Sequence, residues 1–287
     1  MISLVDSHAH LDQPEFDRDR DEVVSRAIES GVRRIVTIGL DATSSRESID
    51  LAEKYPAVYA TVGLHPSNAD RYSDALMAEL RILARHPKVV GVGETGLDFY
   101  RKRATREAQE RAFRAQLDLA ADLGLPVVIH DRDAHEQVVG ILDEWIARQG
   151  KGPVRRGVMH CFSGDLRMAQ RIVAMGFLVS VAGPVTYPNA KRLIEVVQSL
   201  PLSDLMVETD CPFLAPQPVR GKRNEPAYVR FTAEKVAQIK GCSLEQVALQ
   251  TTEGARRLFG LGLAGSTTHQ FDDDVASYQG GIEREGE

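Results

Sequence analysis

The stretch that decides the fold is Ile2-Ser3-Leu4-Val5-Asp6-Ser7-His8-Ala9-His10, a short apolar run that ends in two histidines one residue apart. Side chains two residues apart on an extended strand project from the same face of the strand. Both imidazoles can therefore reach one divalent cation. A first strand that presents a metal-binding pair at its C-terminal tip is typical of many (β/α)8 barrels, in which later strands supply the other ligands.

Seven further β-branched or apolar runs follow, and helical segments separate them. Most runs, such as Val89-Val90-Gly91-Val92-Gly93, are almost continuously apolar, which is typical of strands buried on both faces of a parallel sheet. The clearest helix is predicted over 104–123. Eight alternating units within about 260 residues favour a single (β/α)8 barrel of the TIM type over an open doubly wound sheet. The strands are predicted near 2–6, 33–38, 57–62, 89–93, 126–130, 156–160, 177–181 and 205–209.

Bulk composition excludes several classes of protein. A hydrophobic content of 43% in 287 residues is enough to bury a full core. No apolar run approaches the roughly 20 residues that span a membrane, and nothing resembles a signal peptide. Three widely spaced cysteines are not a disulfide framework. We therefore expect a cytoplasmic protein without a membrane partner. The sequence leaves the oligomeric state open and is compatible with a monomer.

The net charge of -6 is concentrated at the C-terminal end of the chain. Residues 262–287 contain six acidic residues against Arg284 and show no hydrophobic periodicity. They predict a disordered acidic tail that follows a barrel domain over 1–261. The barrel domain is then nearly neutral. It is unlike a basic protein that coats duplex DNA, and it is not acidic enough to repel nucleic acid.

Side chains that commonly bind metals occupy the C-terminal tips of five predicted strands. In a barrel these tips face one mouth, where active sites are found. A single histidine at a strand end is usually structural, so the joint placement is what indicates a site. Four imidazoles and two carboxylates exceed one tetrahedral zinc site and suit two metal ions about 3.5–4 Å apart with a bridging carboxylate. The predicted ligands are His8, His10, Glu94, His130, His160 and Asp210.

The motifs around these positions resemble the TatD-related DNase family of metal-dependent hydrolases, a branch of the amidohydrolase-like superfamily, over roughly residues 1–260. The resemblance implies a TIM-type barrel, a divalent-metal site and phosphodiester hydrolysis. The matching segments are Asp6-Ser7-His8-Ala9-His10-Leu11, Gly63-Leu64-His65-Pro66, Gly93-Glu94-Thr95-Gly96-Leu97-Asp98, His130-Asp131-Arg132-Asp133-Ala134, His160-Cys161-Phe162-Ser163-Gly164, Glu208-Thr209-Asp210-Cys211-Pro212 and Arg223-Asn224-Glu225-Pro226.

The roles of the ligands follow in part from this resemblance. Glu94 is expected to bridge the metals, and Asp210 to act as general base toward a water that the metals activate. One metal is predicted between His8, His10 and Asp210, and the other between His130 and His160.

Four further residues are predicted around the ligands. Asp6 and Glu208 each precede a ligand by two residues, so they are expected to orient imidazoles, although a structural ion pair is an equal alternative. His65, in the loop after the third strand, is expected to bind a phosphate oxygen or to order the turn before Pro66. Arg223, after the eighth strand, is expected to bind phosphate, and a solvated loop charge is the alternative.

The sequence therefore predicts a metal-dependent hydrolase, namely a deoxyribonuclease that acts like an exonuclease on single-stranded or frayed DNA. Its cofactors would be two divalent ions (Zn, Mg or Mn), and its partner DNA or another nucleic acid. The alternative is a deacylase that cleaves D-aminoacyl esters from transfer RNA, or another metal-dependent esterase. A mononuclear deaminase is disfavoured because it does not require the bridging Glu94, and a non-enzymatic binding module is disfavoured by the complete ligand set.

Overall fold

The computed structural model describes residues 2–149 and 156–262. In these residues eight parallel strands form one sheet whose spatial order is the chain order, and a bridge between Ala9 and Cys211 joins the last strand to the first. The predicted single (β/α)8 barrel is confirmed. The strands are β1 Leu4–Ala9, β2 Val32–Ile38, β3 Val58–Val62, β4 Val89–Asp98, β5 Val127–Arg132, β6 Gly157–Met159, β7 Phe177–Val181 and β8 Leu205–Val207.

Amphipathic helices surround the strands. The helix predicted over 104–123 begins at Arg106, because the Thr105 side chain accepts a hydrogen bond from the Ala108 amide, and it ends where Gly124 adopts a φ of 65°. The helices are α1 Arg20–Glu29, α2 Ala42–Lys54, α3 Asp74–Leu83, α4 Arg106–Leu123, α5 His135–Gln149, α6 Leu166–Ala174, α7 Lys191–Ser199, α8 Val229–Lys240 and α9 Leu244–Phe259.

The interior of the barrel is apolar at the N-terminal end of the strands. Val5, Val90 and Val158 project into a cluster that Leu258 and Phe259 of α9 also join. This cluster closes one end of the barrel, so water and polar ligands can reach the interior only from the C-terminal mouth. The fold therefore leaves the mouth as the place where buried polar side chains can act.

One prediction concerns a region that the structure does not fully describe. The predicted acidic tail, 262–287, lies outside the described residues except for Gly262, so the domain boundary after 261 stays a prediction. Within 2–149 and 156–262, every helix is too short or too polar to cross a lipid bilayer.

Candidate metal centre

The six predicted ligands meet at the mouth of the barrel. His8 and His10 come from the end of β1, and Glu94 from β4. Asp210 and His130 are the most accessible of the six, with 13% and 15% of their side chains exposed, whereas the others are almost fully buried. A solvent molecule or substrate would therefore approach the centre along these two side chains.

A bulge in β4 places Glu94. Between Val92 and Thr95 the strand has one more residue than β5 opposite it. Gly93 permits this because its φ is 143°, and a side-chain carbon there would lie 2.5 Å from the carbonyl oxygen of Val128. Gly93 is therefore needed for the bulge that places the Glu94 carboxylate.

The two carboxylate oxygens of Glu94 face different groups of imidazoles. Oε2 lies 3.5 Å from Nε2 of His8 and 3.9 Å from Nε2 of His10. Oε1 lies 2.6 Å from Nδ1 of His130 and 2.9 Å from Nε2 of His160. One carboxylate thus has one oxygen in each of two adjacent donor groups, which is the arrangement that a bridging ligand requires.

The donor group on the β1 side has nearly tetrahedral spacing. The Nε2 atoms of His8 and His10 are 3.3 Å apart, and Oδ1 of Asp210 lies 3.2 Å from His10 and 3.7 Å from His8. Two ligands of one tetrahedral zinc ion are about 3.3 Å apart when each bond is 2.0–2.1 Å long. The spacing therefore suits one cation between these three side chains.

The donor group on the β5 side is supported by two more carboxylates. His130 and His160 each direct one ring nitrogen to Glu94. The other nitrogen lies 3.3 Å from Oδ2 of Asp98 for His130, and 3.4 Å from Oε1 of Glu208 for His160. Such carboxylates fix the orientation of a ligating imidazole and raise its basicity. Glu208 lies beside an imidazole, and its role in orienting that ring stays a prediction.

Asp98 was missed by the sequence analysis. It ends β4, four residues after Glu94, within a segment that was already matched to the family. Two features could have pointed to it: an acid at a strand tip, and its place in the same motif as a ligand. The prediction assigned only Glu94 on this strand, because a regular strand offers no reason for two residues four apart to contact one imidazole.

Asp6 does not have its predicted role. Its carboxylate accepts hydrogen bonds from the Thr209 amide at 2.9 Å and from the Thr209 hydroxyl at 2.6 Å, and it contacts no imidazole among the residues that the structure describes. The physical reason is a register irregularity in β1 between Asp6 and Ala9, which breaks the alternation from Asp6 to His8. Burial raises the pKa of Asp6 to about 8, and the side chain anchors the segment that carries Asp210.

His65 lies inside the centre and is buried. Its Nδ1 accepts a hydrogen bond from the Ser67 amide at 3.0 Å, and its Nε2 lies 3.5 Å from Oε1 of Glu94. Burial lowers the pKa of His65 to about 3, so the ring is neutral. A neutral imidazole whose Nδ1 accepts a hydrogen bond carries its proton on Nε2. His65 is therefore a hydrogen-bond donor in this orientation.

Arg223 has a different partner from the predicted phosphate. Both terminal nitrogens lie 2.7 Å from the carboxylate of Asp19, and Nη1 also donates to the Glu15 carbonyl at 2.7 Å. The guanidinium lies 4.8 Å above the ring centroid of Phe16. An ion pair therefore joins the loop after β8 to the segment between β1 and α1, and phosphate binding by Arg223 stays a prediction.

The electrostatics of the centre require positive charge. Burial alone would raise the pKa of Glu94, but the neighbouring imidazoles, first His160, hold it well below its ordinary value. Burial opposes protonation of His10, yet its hydrogen bond with Asp210 raises the pKa of His10 to about 9. The buried carboxylates therefore attract protons to the imidazoles, and divalent cations would supply the same charge. This donor set fits divalent metal.

The chain is similar to known proteins. The family described as TatD related DNase matches residues 5–260. The chain is 43% identical over 256 residues to the uncharacterized metal-dependent hydrolase YabD of Bacillus subtilis, which covers 89% of this chain and 98% of YabD. It is 36% identical over 261 residues to the 3'-5' ssDNA/RNA exonuclease TatD of Salmonella typhimurium, covering 89% of this chain and 98% of that protein.

A solved structure of a TatD homolog has the same fold as this chain. The crystal structure of YjjV, a TatD homolog from Escherichia coli K12, superposes with a TM-score of 0.84 at 31% identity, covering 90% of this chain and 98% of YjjV. Several groups of His, Glu and Asp side chains in the mouth are spaced to hold a metal ion. The chain is thus a metal-dependent hydrolase, and it belongs to the TatD-related DNase family.

Proposed function

We propose that the protein is a nuclease that hydrolyses phosphodiester bonds of single-stranded DNA or RNA with two divalent cations. The observation that carries the proposal is the division of Glu94 between two donor groups. Two adjacent cations suit in-line displacement at phosphorus, because both the attacking and the leaving oxygen are stabilised. The relative from Salmonella typhimurium, the 3'-5' ssDNA/RNA exonuclease TatD, supports the same substrate class.

The cations would occupy the two donor groups on either side of Glu94. Bound there, they would supply Lewis acidity and lower the pKa of an attacking water. The residues that would hold them are His8, His10 and Asp210 on one side and His130 and His160 on the other.

Asp210 is the proton acceptor in this proposal. Burial opposes its ionisation, but the hydrogen bond with His10 lowers its pKa, so the carboxylate is charged. It is also one of the two accessible ligands, so a water molecule at the mouth can reach its oxygens. An ionised carboxylate within hydrogen-bond reach of the attacking water acts as a general base.

His65 stabilises the phosphoryl group. Its Nε2 proton points toward the same space as Oε1 of Glu94. A fixed, neutral donor in a buried site stabilises charge that grows on a non-bridging oxygen without reorganising at the moment of reaction. His65 therefore favours the transition state over the bound substrate.

The depth of the centre favours single strands. His8 and Glu94 are almost fully buried at the end of the barrel where the strand tips meet. A phosphate within an intact duplex cannot easily reach such a floor, whereas a free end or a flexible strand can. We therefore expect single-stranded or frayed DNA and RNA to be cleaved faster than duplex.

The test is a substrate screen with metal-free protein reloaded with Zn, Mg or Mn. End-labelled single strands, the matching duplex and an aminoacyl-tRNA are compared by kcat/KM under the same metal. Asp210→Asn is the control for contaminating nuclease, because it removes the proton acceptor while keeping the side-chain shape. An aminoacyl ester that is the better substrate by tenfold, about 1.4 kcal/mol, would establish the deacylase instead.

A further inference from the structure

The loop between β4 and α4 is strongly basic. The loop, 99–105, contains three cations and no acid, and Arg106 at the start of α4 adds a fourth, in a chain whose net charge is -6. The side chains of Lys102 and Arg103 are exposed, and neither forms an ion pair or hydrogen bond with any part of the chain that the structure describes. They are therefore available to an external anion.

This loop borders a cavity next to the metal centre. The cavity has a volume of about 370 Å³, and its walls include Lys102, Arg103 and Asp98. Asp98 connects the two features, because its carboxylate lies 3.3 Å from Nε2 of His130. Asp70 also lines the cavity as an opposing charge, but its carboxylate accepts a hydrogen bond from the Thr105 amide. The cavity thus places free cations beside a ligand of the metal centre.

Exposed aromatic rings lie on both sides of the mouth. Tyr100 is 61% exposed, and the Arg132 guanidinium lies 4.0 Å from its ring centroid. Phe213, in the loop after β8, is 45% exposed, and its ring centroid lies 6.0 Å from that of His10. Aromatic side chains together with a basic track are the features by which proteins bind single-stranded nucleic acid without reading its sequence.

The two loops lie across the mouth from each other. β4 and β8 are four strands apart in a closed barrel of eight, so they are on opposite sides. We infer that a single strand of nucleic acid crosses the mouth between them, with backbone phosphates at Lys102 and Arg103 and one base stacked on Phe213. The inference rests on the proposed function and adds to it the path of the strand.

The cationic end of the path is tested with a paired variant, Lys102→Gln with Arg103→Gln. Its matched control is Arg85→Gln with Arg111→Gln, two exposed arginines outside this loop that also form no side-chain ion pair within the described ranges. The readout is the ratio of kcat/KM for a short single-stranded oligonucleotide to kcat/KM for bis(p-nitrophenyl) phosphate, a diester that carries no flanking nucleotides.

We expect the ratio to fall about tenfold in the paired variant at low salt, and to stay within about twofold of the wild type in the control. The dependence of log kcat/KM on log salt should also become shallower by about 1.4 in the paired variant, because each phosphate contact on a single strand contributes about 0.7.

The aromatic end is tested by removing either partner of the stack. Phe213→Leu should lower kcat/KM for the oligonucleotide about tenfold, within the range for loss of one stacked base, and Phe213→Tyr should restore it. For each position of the oligonucleotide, an abasic residue replaces the nucleotide. At one position the abasic substrate should be cleaved equally by wild type and Phe213→Leu. A merely structural role for Phe213 would lower kcat/KM for the normal and the abasic oligonucleotides alike.

Two results would overturn the inference while leaving the nuclease proposal intact. They are a paired variant whose ratio and salt dependence match the control, and a Phe213→Leu defect that persists at every abasic position. If the wild type cleaves no single strand, the proposed function fails. The path of the strand is then decided by measuring binding of the same labelled oligonucleotide by fluorescence anisotropy. Weaker binding by the paired variant, with unchanged binding by the control, supports the path. No binding by the wild type, or equal binding by the wild type and the paired variant, rejects it.

Discussion

Replacing Glu94 with glutamine is the sharpest test of the metal centre. The substitution keeps the shape of a side chain that is 2% exposed and removes its charge. Glu94 contacts imidazoles of both donor groups, so the substitution affects both. The expected result is loss of metal from both sites and loss of hydrolysis, because a neutral amide is a poor bridge between two cations.

The expected loss of stability in Glu94→Gln follows from the contacts of Oε1. It lies 2.6 Å from His130 and 2.9 Å from His160, and in metal-free protein the charge of Glu94 favours the protonated rings. Hydrogen bonds to charged groups contribute about 1.5–3 kcal/mol each, and breaking a buried charged pair costs about 3–5 kcal/mol. We expect the free energy of unfolding of metal-free Glu94→Gln to fall by about 3–5 kcal/mol, which lowers Tm by about 10 °C.

The assay combines elemental analysis with calorimetry. Wild type, Glu94→Gln and Asp210→Asn are each dialysed against limiting Zn or Mn, and the metal content per chain is measured. Melting curves are recorded on the same proteins after treatment with a chelator. Asp210→Asn is the matched control, because Asp210 contacts only the β1 side of the centre, through His8 and His10. It should lose metal from one site, whereas Glu94→Gln should lose metal from both.

The bridging role would be refuted by a Glu94→Gln protein that retains as much metal as Asp210→Asn and melts with the wild type. Retention of two metals with reduced turnover would instead assign Glu94 to chemistry alone. Either result would require another residue to join the two donor groups.

Other predictions follow from individual contacts. Asp98→Asn should weaken metal binding about 10- to 100-fold in competition with a chromogenic chelator, and unchanged affinity would show that Asp98 does not support His130. The hydrogen bond from Arg223 holds the pKa of Asp19 near 2, so its stabilising effect is present above the ordinary value of 3.8 and is lost as pH falls toward 2. Melting temperatures of wild type and Asp19→Asn should therefore differ at pH 6 and converge near pH 2, and a constant difference would contradict the ion pair. In metal-free protein the raised pKa of His10 stabilises the fold below pH 6.5, and this effect is lost as pH rises through about 9. The free energy of unfolding, measured with denaturant, should therefore decline over this pH range less in His10→Gln than in the wild type. Removing residues after Leu263 should leave Tm nearly unchanged, whereas a large drop would show that the tail packs on the barrel.

The sequence by itself determined the barrel and the mouth at which the predicted ligands lie. Runs such as Val89–Val92 are apolar on both faces, which is typical of strands in a parallel sheet covered on both sides, and that pattern is local. Because all strand tips in such a barrel face one mouth, the places of His8, His130 and Asp210 followed from chain position alone. Each of these conclusions needs only a residue type and its distance from a strand end.

Only the tertiary structure decided which polar atoms meet. Asp6 precedes His8 by two residues, yet a register irregularity in β1 turns it to Thr209, and the bulge in β4 brings Glu94 and Asp98 to the same imidazole. Arg223 bonds to Asp19, which is 204 residues away in the chain. A bulge or a loop contact depends on backbone packing between distant segments, and a shift of one residue there reverses the face of a side chain. Which side chains contact each other in the buried polar site is therefore decided by the folded barrel, whereas the candidate ligands can be identified from the sequence.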